Sequence, residues 1–117
     1  PRRALANAAV NIASDLALLG LFVPTTSGTT AGVVAAFRPS SPIVGVCVDE
    51  QTARLLMMHW GVSPLVMTES HASDWEQMSH NIAREFDIEL AGQSIAVLSG
   101  FGKRSDNNQP VLKILRF

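Results

Sequence analysis

The sequence predicts a three-layer α/β/α sandwich built on a mixed five-stranded sheet whose last strand is antiparallel. Three observations carry that expectation. Segments of helical period alternate with short apolar runs in the order α-β-α-β-α-β-α-β-β. The run Ile43-Val44-Gly45-Val46-Cys47-Val48 is apolar without alternation, as in a strand covered on both faces within a parallel sheet. The final run, residues 111–117, follows a polar stretch with no crossover helix, so it returns antiparallel at a sheet edge. At 117 residues the chain has the size of one domain, spanning 1–117.

Each element has its own signal. Residues 3–19 place Leu5, Ala8, Ala9, Ile12, Leu16 and Leu19 on one helical stripe, with Gly20 as the stop. Residues 21–24 read as a short buried strand. A helix over 30–37 follows, ended by Arg38-Pro39 and a Ser40-Ser41-Pro42 turn. After the central strand, Asp49 is placed to cap a helix from Glu50 to about His59, closed by Gly61. Residues 62–67 form a third strand, with Pro64 pointing to an edge. Ser73-Asp74-Trp75-Glu76 fits a capping box with Ser73 as N-cap; Trp75, Met78, Ile82 and Phe86 then share a face. Gly92 ends that connection, and residues 94–98 form the fourth strand.

The stretch with chemical character lies between the first strand and the second helix. Thr25, Thr26, Ser27, Gly28, Thr29 and Thr30 bring hydroxyls and a glycine to the place where a helix begins. The first turn of a helix leaves N–H groups without intrahelical partners, and its dipole favours an anion there. These residues are candidates to hold a phosphate or similar oxyanion. The structural alternative is that Ser27 or Thr29 only caps the helix. Right-handed crossovers leave few topologies, and one of them sets the first strand beside the fourth. The order then reverses between them, where open α/β sheets bind ligands. The loop over 99–108 would face residues 25–30 there, offering Gly100, Gly102, Lys103 and Arg104.

Other functions find little support. Formal net charge is −1, with no charge block beyond Arg2-Arg3 and Lys103-Arg104, which argues against nucleic acid. No apolar run approaches membrane-spanning length. The single Cys47 excludes an internal disulfide and suits a reducing cytosol. The three histidines, His59, His71 and His80, have no metal-ligand spacing, so no metal site is expected. Neither GxxxxGK[ST] nor GxGxxG is present. No acid–base constellation marks a catalytic residue. The chain begins at Pro1 rather than Met, which reads as a piece of something longer.

Five motifs in order resemble the C-terminal domain of pyruvate kinases. They are Thr25-x-Ser27-Gly28-x-Thr30-Ala31, Phe37-Arg38-Pro39-x-x-Pro42-Ile43, Thr52-Ala53-Arg54-x-Leu56, Trp60-Gly61-Val62-x-Pro64 and Ser99-Gly100-Phe101. The resemblance covers about residues 4 to 117 and implies the same mixed five-stranded sheet. It implies a domain without catalytic residues or a cofactor of its own. Phosphoryl transfer between phosphoenolpyruvate and ADP, with magnesium and potassium, would occur in a separate barrel domain. This domain would bind a sugar-phosphate or phosphate effector and contribute to a homo-oligomer in the cytoplasm. By position, Thr25, Thr26, Ser27, Gly28 and Thr30 would hold the phosphate, and Gly100 and Phe101 would lie in the closing loop. The chain departs from the pattern at Thr29, where many relatives carry Lys or Arg. It departs again at residues 103–108, where many have a Gly- and Thr-rich run. A second reading is a stand-alone domain that binds or acts on another small phosphorylated ligand. A third is a pure oligomerisation module.

Overall fold

The computed structural model describes residues 2–68, 74–99 and 111–117. Nine elements follow one another: α1 (Arg2–Asp15), β1 (Leu21–Pro24), α2 (Thr29–Ala36), β2 (Ile43–Cys47), α3 (Glu50–Leu56), β3 (Val62–Val66), α4 (Trp75–Glu85), β4 (Ser94–Ser99) and β5 (Val111–Arg116). The order is the expected one. The strands form a single sheet in the spatial order β3-β2-β1-β4-β5. β1 pairs in parallel with β2 and with β4, β2 pairs in parallel with β3, and β5 is antiparallel to β4. Pro64 sits on β3 opposite Gly45, at one edge of the sheet, where a residue without an N–H costs no ladder bond on the open side.

Strand periodicity divides the core into two layers. Leu21, Val23, Ile43, Cys47, Ala96 and Leu98 point to one face, where Ala6, Ala9 and Ala13 of α1, Val34 of α2 and Leu56 of α3 cover them. Phe22, Val44, Val46, Ile95 and Val97 point to the other face, covered by Met78 and Ile82 of α4. All five residues of β2 are buried, which is why its sequence shows no alternation. Three helices therefore share one face and α4 alone serves the other. That asymmetry follows from right-handed crossovers: β1-α2-β2 and β2-α3-β3 advance in one direction, and β3-α4-β4 returns over the opposite side.

Several boundaries differ from the sequence reading, and left-handed residues other than glycine follow three of the helices. α1 ends at Asp15, short of Leu16 and Leu19, and its buried stripe is Ala6-Ala9-Ala13. Leu16 is exposed. The stop is Ala17, in the left-handed region at φ 51°, with Leu18 N–H donating to Ala13 O at 3.0 Å. Gly20, expected as the stop, instead lies against the Phe22 ring. α4 ends the same way at Asp87, φ 55°, with Ile88 N–H donating to Ala83 O at 2.8 Å. Phe86 is 39% exposed and so lies outside the buried face. Arg38, φ 48°, plays the same part after α2. Left-handed termination is expected at glycine, and here three other residues provide it. α3 stops at Leu56 rather than near His59. The N-cap of α4 is Asp74 rather than Ser73: its carboxylate accepts from Gln77 N–H at 3.2 Å. Ser73 itself lies outside the described residues.

Candidate phosphate site at the start of the second helix

β1 runs out at Pro24 and β4 at Ser99, side by side, with Phe22 paired to Val97. The chain order reverses between these strands, and residues 25–30 leave the sheet at that point. Thr25 N–H donates to Val46 O at 2.8 Å, which extends the ladder by one residue. The chain then turns. The Thr25 hydroxyl accepts from Gly28 N–H at 2.8 Å. The Ser27 hydroxyl pairs with the Thr29 hydroxyl at 2.8 Å and lies 3.4 Å from Thr29 N.

Gly28 is the N-cap of α2 and has φ +85°, a conformation that costs an L side chain about 1–2 kcal/mol. A Cβ there would also stand 3.4 Å from Leu56 Cδ2. As N-cap, Gly28 has no side chain to offer, and the Ser27 hydroxyl accepts from the first N–H of α2, that of Thr29. Among the described residues, none accepts from the N–H groups of Thr30 or Ala31, in the first turn of the helix. Thr30 is 3% exposed, and its hydroxyl has no hydrogen-bond partner among the described residues. Buried hydroxyls are normally bonded, which sets this one apart. Thr26 and Ser27 are exposed, and Thr29 is half-buried. The loop brings no charge of its own; its donors are hydroxyls and N–H groups.

α3 supports the loop from the side. Asp49 caps α3, accepting from Thr52 N–H at 2.7 Å. That bond holds its carboxyl below the usual carboxylate range, although the group is open to solvent. The Thr52 hydroxyl donates to Thr26 O at 3.3 Å, and Leu56, one turn on, lies under Gly28. The His59 ring packs on Gly32 of α2, where an added Cβ would meet Cε1 at 2.8 Å. Thr52 and Leu56 were outside the candidate residues. The capping pattern at Asp49 placed them on a helix, but contact across 26 residues of sequence left no local trace.

Four of the candidates, Gly100, Phe101, Lys103 and Arg104, lie outside the described residues, as does His71. β4 nevertheless delivers the chain to Ser99 beside Pro24, so the loop that carries them starts at the same end of the sheet. His80 meets the Phe117 ring edge-on at 5.2 Å. Cys47 is buried, which pushes its thiol pKa up, and Sγ faces the Asp49 carbonyl at 3.5 Å. A protonated, enclosed thiol is a core residue rather than a nucleophile. Among the described residues no group of three or more His, Cys, Asp or Glu could hold a metal ion. No helix among them is long and apolar enough to cross a membrane.

Comparison with known proteins agrees with the fold. The family described as the alpha/beta domain of pyruvate kinase matches residues 3–115. The chain is 31% identical over 118 residues to pyruvate kinase of Agrobacterium vitis, an alignment covering 97% of this chain and 24% of that protein. It is 30% identical over 104 residues to pyruvate kinase of Clostridium acetobutylicum, covering 87% and 22%. Among solved structures, pyruvate kinase of Cryptosporidium parvum in complex with ADP superposes with a TM-score of 0.82 at 26% identity. That match covers 98% of this chain and 23% of the other. The chain thus spans about a quarter of the length of the relatives it matches.

Proposed function

Because the chain belongs to the pyruvate kinase alpha/beta-domain family, we propose that it is the regulatory domain of a cytoplasmic pyruvate kinase and binds a phosphorylated effector at residues 25–30. In this reading phosphoryl transfer between phosphoenolpyruvate and ADP belongs to the part of the relatives beyond this span. The domain's work is to sense a phosphate and to take part in a homo-oligomer.

The observation that carries the effector site is the Thr30 hydroxyl, buried in the first turn of α2 and without a partner among the described residues. A phosphate oxygen would accept from it and from the N–H groups of Thr30 and Ala31, unpaired among the described residues, at the positive end of the helix. The hydroxyls of Thr25, Ser27 and Thr29, now bonded within the loop, can turn to a stronger acceptor. Gly28, with no side chain, lets the backbone come close. With Thr29 where many relatives have a cation, Lys103 or Arg104 from the loop after β4 would supply the charge. Without one of them the site binds weakly.

A thermal-shift titration with fructose bisphosphate, ribose phosphate and inorganic phosphate tests this. A ligand that binds only the folded state stabilises it by RT ln(1 + [L]/Kd), about 2.7 kcal/mol at a hundredfold excess over Kd. The expected result is a saturable rise in Tm with at least one sugar phosphate, reduced when Lys103 and Arg104 are both replaced by Ala. No rise for any phosphate at millimolar concentration would contradict the effector site and leave oligomerisation as the domain's work.

A further inference from the structure

Resting on the effector-site reading above, we propose that Thr52 of α3 is a positioning residue of the phosphate loop: its hydroxyl aims the Ser27 N–H at the ligand. Thr52 is 7% exposed, and its side chain reaches across 26 residues of sequence to donate to Thr26 O at 3.3 Å. The 26–27 peptide is trans. In a trans peptide the C=O and the next N–H point in opposite directions. Holding Thr26 O toward α3 therefore turns Ser27 N–H away from α3. Among the described residues nothing accepts from Ser27 N–H.

Thr52 is itself fixed. Its N–H is held by the Asp49 carboxylate at 2.7 Å, at the start of a helix that also carries Leu56 against Gly28 and leads to His59 against Gly32. α3 and the turn after it thus meet the loop and α2 at three successive points, and of these Thr52 is the one that hydrogen-bonds to the loop. Leu56 sets the distance of the loop from the helix, and Thr52 sets the rotation of one peptide. Thr30 supplies the independent sign of a ligand at this place, as a buried hydroxyl without an acceptor among the described residues.

The test compares Thr52→Val, which keeps shape and removes the donor, with Thr52→Ser, which keeps the donor. Inorganic phosphate is titrated by amide NMR, and amide hydrogen exchange is measured without phosphate. The expected result for Thr52→Val is a phosphate Kd raised roughly three- to tenfold, the loss of one well-aimed donor. Exchange at Ser27 would be altered, and Thr52→Ser would stay near wild type in both. Should Thr52→Val fold poorly, Thr52→Ala is read in the same way. A Thr52→Val that loses Tm but keeps the wild-type Kd and Ser27 exchange overturns the proposal and leaves the effector site standing. Wild type that shows no response to millimolar phosphate overturns the site, and the positioning role with it.

Discussion

Gly28 and Gly32 lie one helical turn apart and face different fates on substitution. At Gly28 the backbone has φ +85°, and a Cβ would stand 3.4 Å from the buried Leu56. Gly28→Val is expected to cost at least about 1–2 kcal/mol of stability and to weaken phosphate binding more than Thr26→Ala does. At Gly32 an added Cβ would meet the His59 ring at 2.8 Å, but that ring is exposed and can swing aside. Gly32→Ala should therefore change Tm little. Denaturant unfolding of both variants beside wild type checks the contrast, and equal losses would contradict it. Ala17 offers the opposite sign. It holds a left-handed conformation that glycine adopts freely, so Ala17→Gly should raise stability by about 0.5–1 kcal/mol after glycine's own entropy cost. These residues also show where reading the sequence succeeded. The turn between β1 and α2 was legible because hydroxyls and a glycine fell between a strand and a helix. The ends of α1 and α4 were not, since Ala17 and Asp87 carry no glycine signature; the end of α2 before Arg38-Pro39 was.

α3 and β5 each expose a property of a whole element. α3 depends on its cap: the Asp49 carboxylate bonds to Thr52 N–H, and that bond depresses the carboxyl pKa. A group whose pKa is lower folded than unfolded adds stability above its unfolded pKa, and that stability fades as pH falls through the folded value. Wild type should therefore lose stability as the pH drops below about 4, and Asp49→Asn should lose less over the same range. Urea unfolding across acid pH measures this; parallel profiles for the two proteins would contradict it. β5 is bonded on one side only, to β4, and Val111 and Ile114 are exposed on it. An apolar strand with an open edge favours pairing with another chain. Light scattering should give a mass above monomer, reduced by Ile114→Lys; monomer mass alone for wild type would contradict the homo-oligomer. The antiparallel placement of β5 was readable from the lack of a crossover helix. The seating of three helices on one face needed the observed strand order as well as the sequence.

At the scale of the molecule, the fold brings the ends of β1 and β4 together at one end of the sheet. That neighbourhood was one of a few that chirality allowed, and the sequence alone could not choose it. The family match makes the chain an alpha/beta domain of pyruvate kinase. The central functional claim is that residues 25–30 bind a phosphate. Amide NMR of the labelled chain during a titration with fructose bisphosphate tests it most directly. The expected result is saturable shifts concentrated at Ser27, Gly28, Thr29, Thr30 and Ala31, with Gly28→Val abolishing them. Saturable shifts centred elsewhere, or none at millimolar ligand, would contradict it.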